Sequence, residues 1–217
     1  TELDQQAMFK PLTKFNATAH SAQILPGQVR EAFRQMTTGR PGAAHLCLPL
    51  DVQNQPVETD LVYGDASLGV YPARPQGPDP AAIEEAAAIL KAANFPIFVC
   101  GGGVVIAGGE DALIAAAEAL DAPVCTTISG QGSIGDDHPL AVGVVGSNGG
   151  TMPTRGIVQQ ADCVVFVGCR AGSVTTERWR YPAAGQAKII HIDSDPATIS
   201  AIYQTDVAIP GDARLAL

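Results

Sequence analysis

The stretch Phe95–Gly109, FPIFVCGGGVVIAGG, decides the fold. An apolar run, Ile97–Cys100, ends in three successive glycines, Gly101, Gly102 and Gly103, and a helix-type pattern, EDALIAAAEAL, begins at Glu110. A strand covered on both faces reads as a short unbroken apolar run, because neither set of alternating side chains meets water. Glycine directly after such a strand lets the backbone turn sharply, with no Cβ to hold a ligand or a second backbone away. The N–H groups of such a turn commonly face an anion. The G-x-G-x-x-G spacing of dinucleotide folds is not met, since position 106 is Ile and the next glycine is Gly108. The loop taken alone leaves two readings open, a ligand site and a tight strand–helix turn that binds nothing.

The same pattern repeats outward from this stretch. Upstream, Asp79 is placed to cap a helix with Pro80 at its first position and Ile83, Ala86, Ala87 and Leu90 on one face. Downstream come strand-like runs at Val124–Thr127, Cys163–Gly168, Lys188–Asp193 and Asp206–Ile209, with helices expected at about 110–120, 153–161 and 196–203. Asp195 or Asp193 would cap the last of these. Strands alternating with helices predict an α/β fold, a doubly wound parallel sheet of five or six strands with helices on both faces. This Rossmann-like domain is placed at 79–217. Residues 54–78, with Pro56, Pro72, Pro75 and Pro78, read as a semi-extended linker. Residues 1–53 differ from the rest. A helix is expected over 27–38, with Gly39 at its end, and a strand over Ala43–Leu48, closed by Pro49, while MFKPLTKFNATA shows no clear period.

Composition narrows the function classes. The chain is 46% hydrophobic but only 5% aromatic, which suits small-residue helices packed on a parallel sheet. Thirteen basic against 22 acidic residues give a net charge of −9. With no basic cluster, nucleic acid and anionic membrane are not expected as partners. The cysteines Cys47, Cys100, Cys125, Cys163 and Cys169 are odd in number and lack C-x-x-C spacing, which predicts buried thiols and a cytoplasmic location. His45, Cys47 and Cys100 read as core residues, and His20 and His138 have no partner spacing. The run Arg178-Trp179-Arg180-Tyr181 reads as a solvated edge or an interdomain contact. No Ser/His/Asp order, metal-ligand cluster or carboxylate pair stands out.

In open parallel sheets ligands bind beyond the carboxyl ends of the strands. Each predicted strand ends there in something suitable: Gly101–Gly103; Thr126 and Thr127 leading into the glycine-rich loop ISGQGSIG; Gly168-Cys169-Arg170; His191-Ile192-Asp193; and Pro210-Gly211-Asp212. Glycines give access, a guanidinium such as Arg170 can grip a diphosphate bidentately, and a strand-end carboxylate such as Asp193 can accept ribose hydroxyls. This is the inventory of a nucleotide site. Capping by the aspartates and a surface ion pair for Arg170 are the competing readings.

The ordered series FPIFVCGGGV, APVCTTISGQGSI, HPLAVGVVG, ADCVVFVGCR, KIIHIDSDPATI and VAIPGDARLAL resembles the central domain of thiamine-diphosphate-dependent enzymes, of the acetolactate synthase-like group. KPLTKFN followed by TTGRPGAAHLCLPLDVQ is similar to the end of that family's pyrimidine-binding domain, so the resemblance covers essentially the whole chain. It implies that residues 1–53 are the tail of a pyrimidine-binding domain and that the chain is a piece of a longer, cytoplasmic enzyme acting on 2-keto acids or similar acyl donors. The glutamate that activates thiamine diphosphate and the motif that holds Mg2+ and the cofactor's diphosphate would then lie outside this chain. The fragment by itself is expected to be silent, with no catalytic residue and no metal ligand.

In relatives whose central domain carries FAD or ADP, the resemblance places the nucleotide at Gly101, Gly102, Gly103, Thr127, Ile128, Gly168, Arg170, Asp193, Ser194, Gly211 and Asp212. The chain departs from the acetolactate synthases at two places. Gly143-Val144-Val145-Gly146 stands where they have Gly-Met-His-Gly against the flavin, and Ala171-Gly172-Ser173-Val174 stands where they have Phe-Asp-Asp-Arg. FAD, ADP and an empty site all remain open, as does a nucleotide module without thiamine chemistry. The expected partners are the pyrimidine- and diphosphate-binding domains of the parent and, because Val29, Phe33, Ala44, Leu46 and Leu48 would form an apolar face beside an unpaired strand edge that docks on the chain's own central domain or on a neighbouring copy, a second copy in a homo-oligomer.

Overall fold

The computed structural model describes residues 3–57 and 64–217, so the expected linker falls partly outside the described residues. Two compact units emerge, Thr1–Pro75 and Gln76–Leu217.

The first unit holds helices α1 (Gln5–Phe9), α2 (Leu25–Thr37) and α3 (Leu50–Gln53) and strands β1 (Phe15–Thr18) and β2 (Ala44–Cys47). β1 and β2 pair in parallel, from Phe15 with Ala44 to Thr18 with Cys47, and α2 packs on both. β1 lies in the stretch that shows no period in the sequence. All four of its residues are half-buried, so no alternation marks it. His45 is not a core residue. It is half-buried, stacks on Phe9 at 4.2 Å, and its Nδ1 lies 2.9 Å from Asn16 Oδ1. The described end of the expected linker is not extended throughout. A 3-10 turn, Ala66–Gly69, packs on α2 and buries Leu68, and Ala73 N donates to Thr37 O. Little of the unit is dry: Ala19, Ala22 and Val52 form its core, with Leu25 against them. A groove of about 480 Å³ runs beside α2, lined by Leu25, Val29, Arg30, Phe33 and Leu68 among others.

The second unit opens with α4 (Pro80–Ala92), capped by Asp79, whose carboxylate accepts from Ala81 N at 3.0 Å. Then follow β3 (Pro96–Cys100), α5 (Gly102–Ala107), α6 (Glu110–Leu120), β4 (Val124–Thr126), β5 (Ala141–Val144), α7 (Met152–Gln160), β6 (Cys163–Val167), β7 (Lys188–Asp193), β8 (Val207–Pro210) and α8 (Ala213–Ala216). The strands form one parallel sheet of six in the order β5-β4-β3-β6-β7-β8. The central strands β3 and β6 are buried at every residue, whereas edge strand β8 alternates and ends in Pro210, a residue that edges tolerate.

The two faces of the sheet are covered differently. On one, Phe98, Val165, Val167, Ile190 and Ile209 meet Val104 of α5, Leu113 and Ala117 of α6, Ala213 of α8 and Ala86 of α4. On the other, Ile97, Val99, Val164, Phe166 and Ile189 meet a single helix, α7, through Val158, together with Cys169, Ala171 and Tyr203 from irregular segments. The helix expected over 196–203 is absent. Residues 196–200 form turns, and Asp193 and Asp195 each serve a local turn, accepting from Asp195 N and Ala197 N at 2.9 and 3.0 Å. An aspartate two residues before its donor offers the backbone an alternative to helix, and here that alternative prevails. The glycine turn after β3 is also shorter than expected, since α5 starts at Gly102 itself and Gly108, at φ 62°, ends it before α6.

Candidate functional site

The strand order fixes where a ligand could enter. The chain leaves β3 toward β4 and β5, and leaves β6 toward β7 and β8, so the strand order reverses between β3 and β6. At such a reversal the loops diverge and leave a crevice at the carboxyl edge. The segments meeting there are Gly101–Gly103 and Gly168–Ala171.

Three of the expected glycines bind these loops to each other. Gly101 N donates to Val167 O at 2.8 Å and Gly103 N to Gly168 O at 3.1 Å. A Cβ on Gly101 would lie 2.1 Å from Gly168 O, and one on Gly103 would lie 2.5 Å from Gly168 Cα. Gly168 itself sits at φ 54°. No side chain fits where two backbones touch, so these glycines are required by packing whether or not a ligand binds. Gly102 is half-buried beside Ser129, which a Cβ would approach to 3.1 Å.

The remaining expected residues divide by what already occupies their polar atoms. Thr127 N donates to Cys100 O at 2.8 Å, and its hydroxyl accepts from Gly130 N at 3.1 Å. Ile128 beside it is exposed. Asp212 is buried and caps α8, accepting from Arg214 N and Leu215 N at 3.0 and 3.2 Å, while Gly211 N donates to Asp193 O at 3.0 Å. Asp193 is half-buried with one carboxylate oxygen on Asp195 N, and Ser194 is exposed. Arg170 is exposed and forms no ion pair with another described residue. Arg170, Ser194 and Ile128 are therefore the members that face solvent, and Thr127, Gly211 and Asp212 are internal.

Two residues outside the expected set shape this edge. Gly130 packs so closely on β3 that a Cβ would lie 2.1 Å from Cys100 O. It stands in the glycine-rich ISGQGSIG loop, where its position was the available signal. His191, 3% exposed, reaches from β7 to Cys169 O with Nε2 at 2.8 Å, and burial lowers its pKa against the pull of that carbonyl and of Asp193. The sequence places His191 near the end of the run KIIHID without showing what its ring would meet.

The four buried thiols of the larger unit are not primed as nucleophiles. Burial pushes Cys100 well above the usual thiol range, Cys125 and Cys163 to about 12, and Cys169 to about 11. They stay protonated near neutrality, and a protonated thiol is a poor nucleophile. Among the described residues, no group of three or more His, Cys, Asp or Glu side chains is placed to hold a metal ion, and no helix is long and apolar enough to cross a membrane.

The two segments that depart from the acetolactate synthases close on each other. Ser147 N donates to Val174 O at 2.8 Å, and Gly146, at φ 99°, brings its backbone so near that a Cβ would lie 2.3 Å from Val174 O. Beyond them Glu177, Arg178 and Trp179 run through three successive left-handed conformations, anchored by the Arg155–Glu177 ion pair and by the buried Thr176 hydroxyl, which accepts from Trp179 N at 3.0 Å.

Comparison with known proteins bears on the whole chain. The family model described as thiamine pyrophosphate enzyme, central domain, matches residues 83–217. The acetolactate synthase large subunit of Corynebacterium glutamicum is 36% identical over 98% of this chain and 33% of its own length. The glyoxylate carboligase of Escherichia coli O157:H7 is 34% identical over 99% of this chain and 35% of its own. Among solved structures, benzoylformate decarboxylase from Polynucleobacter necessarius superposes with a TM-score of 0.79 at 24% identity, over 100% of this chain and 39% of that one, a likeness of fold. The chain thus spans about a third of the length of the curated relatives it matches.

Proposed function

Because the chain belongs to the thiamine pyrophosphate enzymes, through their central domain, we propose that it serves a longer enzyme that makes or breaks a carbon–carbon bond beside the carbonyl of a 2-keto acid. The relatives that span the whole chain support this reading, since an acetolactate synthase and a glyoxylate carboligase both match it across both units. Thiamine diphosphate would supply the nucleophilic carbon and the electron sink for such a reaction. The described residues offer no carboxylate cluster for its Mg2+, so no step of that chemistry is assigned to them.

The share of this chain is to form the central sheet and to hold an adenine nucleotide at its carboxyl edge, ADP rather than FAD. The observation that carries this is the exposed guanidinium of Arg170 at the reversal of strand order, with Asp193 and Ser194 at the end of the neighbouring strand. Arg170 would take the diphosphate and Asp193 the ribose hydroxyls. The closure of the 143–146 loop on Val174 favours ADP, because those are the segments that would meet a flavin ring.

Calorimetric titration tests the nucleotide half, and turnover the other. The 217-residue chain should bind ADP saturably, FAD no more tightly than ADP, and thiamine diphosphate with magnesium not at all. Arg170→Ala should weaken ADP about tenfold or more, the worth of a charge-assisted bidentate contact. No heat with ADP at millimolar concentration would overturn the nucleotide half. The full-length protein with thiamine diphosphate and magnesium should consume pyruvate or glyoxylate, and failure with a panel of 2-keto acids would overturn the other.

A further inference from the structure

Arg170 is an exposed residue on an unusually well-held piece of backbone. It lies two residues after Gly168, at φ 54°, and directly before Ala171, at φ 49°, a left-handed conformation that an alanine rarely adopts. Such geometry persists only where the surroundings impose it. Here they do so from three sides. Gly168 N donates to Ile192 O at 2.8 Å, Ala171 N donates to Cys169 Sγ at 3.4 Å, and His191 Nε2 lies 2.8 Å from Cys169 O. The carbonyl can only accept, so the imidazole carries its proton on Nε2. Cys169 and Ala171 are both buried, and the ring of His191 rests 5.8 Å from that of Phe166. Of the side chains in this segment, only that of Arg170 points to solvent.

We propose that His191 is a positioning residue: by gripping the Cys169 carbonyl from the neighbouring strand, it presets the backbone from which Arg170 meets the diphosphate of a bound nucleotide. The inference rests on the nucleotide reading above and adds to it the residue that makes the arginine a preorganised donor. A guanidinium on a mobile loop would give up affinity to ordering, whereas one on a fixed backbone does not. Cys169 is buried, so its carbonyl needs a donor, and the contact also answers a need of the fold.

Three variants of the 217-residue chain separate the possibilities: His191→Gln, long enough to keep a donor near Cys169 O; His191→Leu, which removes it; and Arg170→Ala. The first readout needs no ligand. Amide exchange at Arg170 and Ala171 should rise about tenfold or more in His191→Leu, stay near wild type in His191→Gln, and leave Phe166 and Ile190 unchanged. The second is binding of ADP and of adenosine. His191→Leu should weaken ADP about tenfold, roughly as Arg170→Ala does, with adenosine unaffected and His191→Gln restoring most of the loss. Should His191→Leu fail to fold, His191→Asn, polar but too short to reach Cys169, takes its place. Unchanged exchange at Arg170 and Ala171 overturns the positioning role. Raised exchange with unchanged ADP affinity overturns its link to the ligand. A wild-type chain that binds no ADP overturns the nucleotide reading and the ligand link with it, while the exchange readout still decides whether His191 holds the loop.

Discussion

The two units solve the same problem with unequal means. Both place parallel strands under helices, yet Gln76–Leu217 buries two continuous cores on either side of six strands, and Thr1–Pro75 buries Ala19, Ala22 and Val52 around two. In the larger unit Phe98, Phe166, Ile97 and Leu113 are sealed, whereas in the smaller one Val29, Phe33, Leu48 and Leu50 are exposed. Burial of apolar area is the main favourable term in folding, and it grows with the number of strands that can share a face. The larger unit therefore has a core of its own. The smaller one has secondary structure and a groove beside α2, with little to hold them.

The largest effect expected from this contrast is in thiol chemistry. Cys47 is half-buried in the smaller unit, and Cys100, Cys125, Cys163 and Cys169 are buried in the larger. Iodoacetamide should label Cys47 first, with the other four slower by roughly a thousandfold or more, because they react only after unfolding. Peptide mapping reads the order, and labelling of Cys125 or Cys100 as fast as Cys47 would break the comparison. Core truncation comes next. Phe166→Ala should cost about 3–5 kcal/mol and shift the main thermal transition. Val52→Ala should cost roughly 1–2 kcal/mol and leave that transition in place. A shared shift would show the two cores to be one cooperative system.

Glycine substitutions should differ in sign. Gly103→Ala drives a methyl to within 2.5 Å of Gly168 Cα and should destabilise by about 1–3 kcal/mol. Gly27 lies in α2 with nothing within 4 Å of the place a methyl would take, so Gly27→Ala should raise the helix's stability by up to ~1 kcal/mol. Denaturant midpoints check both. The smallest effect is electrostatic. Backbone N–H donors of Asn94 and Phe95, at 2.7 and 3.0 Å, hold the Asp162 carboxyl below its usual range against a smaller opposing effect of burial. Since the folded form is the stronger acid, its contribution is present above the ordinary carboxylate range and is lost as pH falls through the folded value. Asp162→Ala should cost about 1 kcal/mol at neutral pH and less in acid, and an unchanged acid limb in pH-resolved melts would remove Asp162 from the account.

The fold of the larger unit was legible because its signals are local. The runs at Ile97–Cys100 and Cys163–Gly168 are unbroken apolar stretches, and the Asp79-Pro80 start of α4 is a capping pattern that acts within one turn. Where two local signals competed, the reading went astray: Asp195-Pro196 opens a helix in many chains, and here the aspartates close turns instead. β1 escaped because a two-stranded sheet with half-buried residues on every position leaves no alternation to find.

At the carboxyl edge the sequence could assemble the right residue types but could not tell which of them face outward. Thr127 and Asp212 have the same chemistry whether they meet a nucleotide or cap a turn, and that depends on donors such as Gly130 N and Arg214 N brought there by the chain itself. Likewise Gly101, Gly103 and Gly168 read as an opening for a ligand, and the pairing of β3 with β6 turns them into a seam between two backbones. By itself the sequence determined five of the six strands of the larger sheet, though not β5 at Ala141–Val144, the edge at which they end, and the family resemblance carried by their order, because each follows from neighbours along the chain. The tertiary structure alone decided that Arg170 stands exposed next to Cys169, whose carbonyl His191 meets from the neighbouring strand. That arrangement needs residues far apart in the chain to meet across β6 and β7, and no local pattern encodes such a meeting.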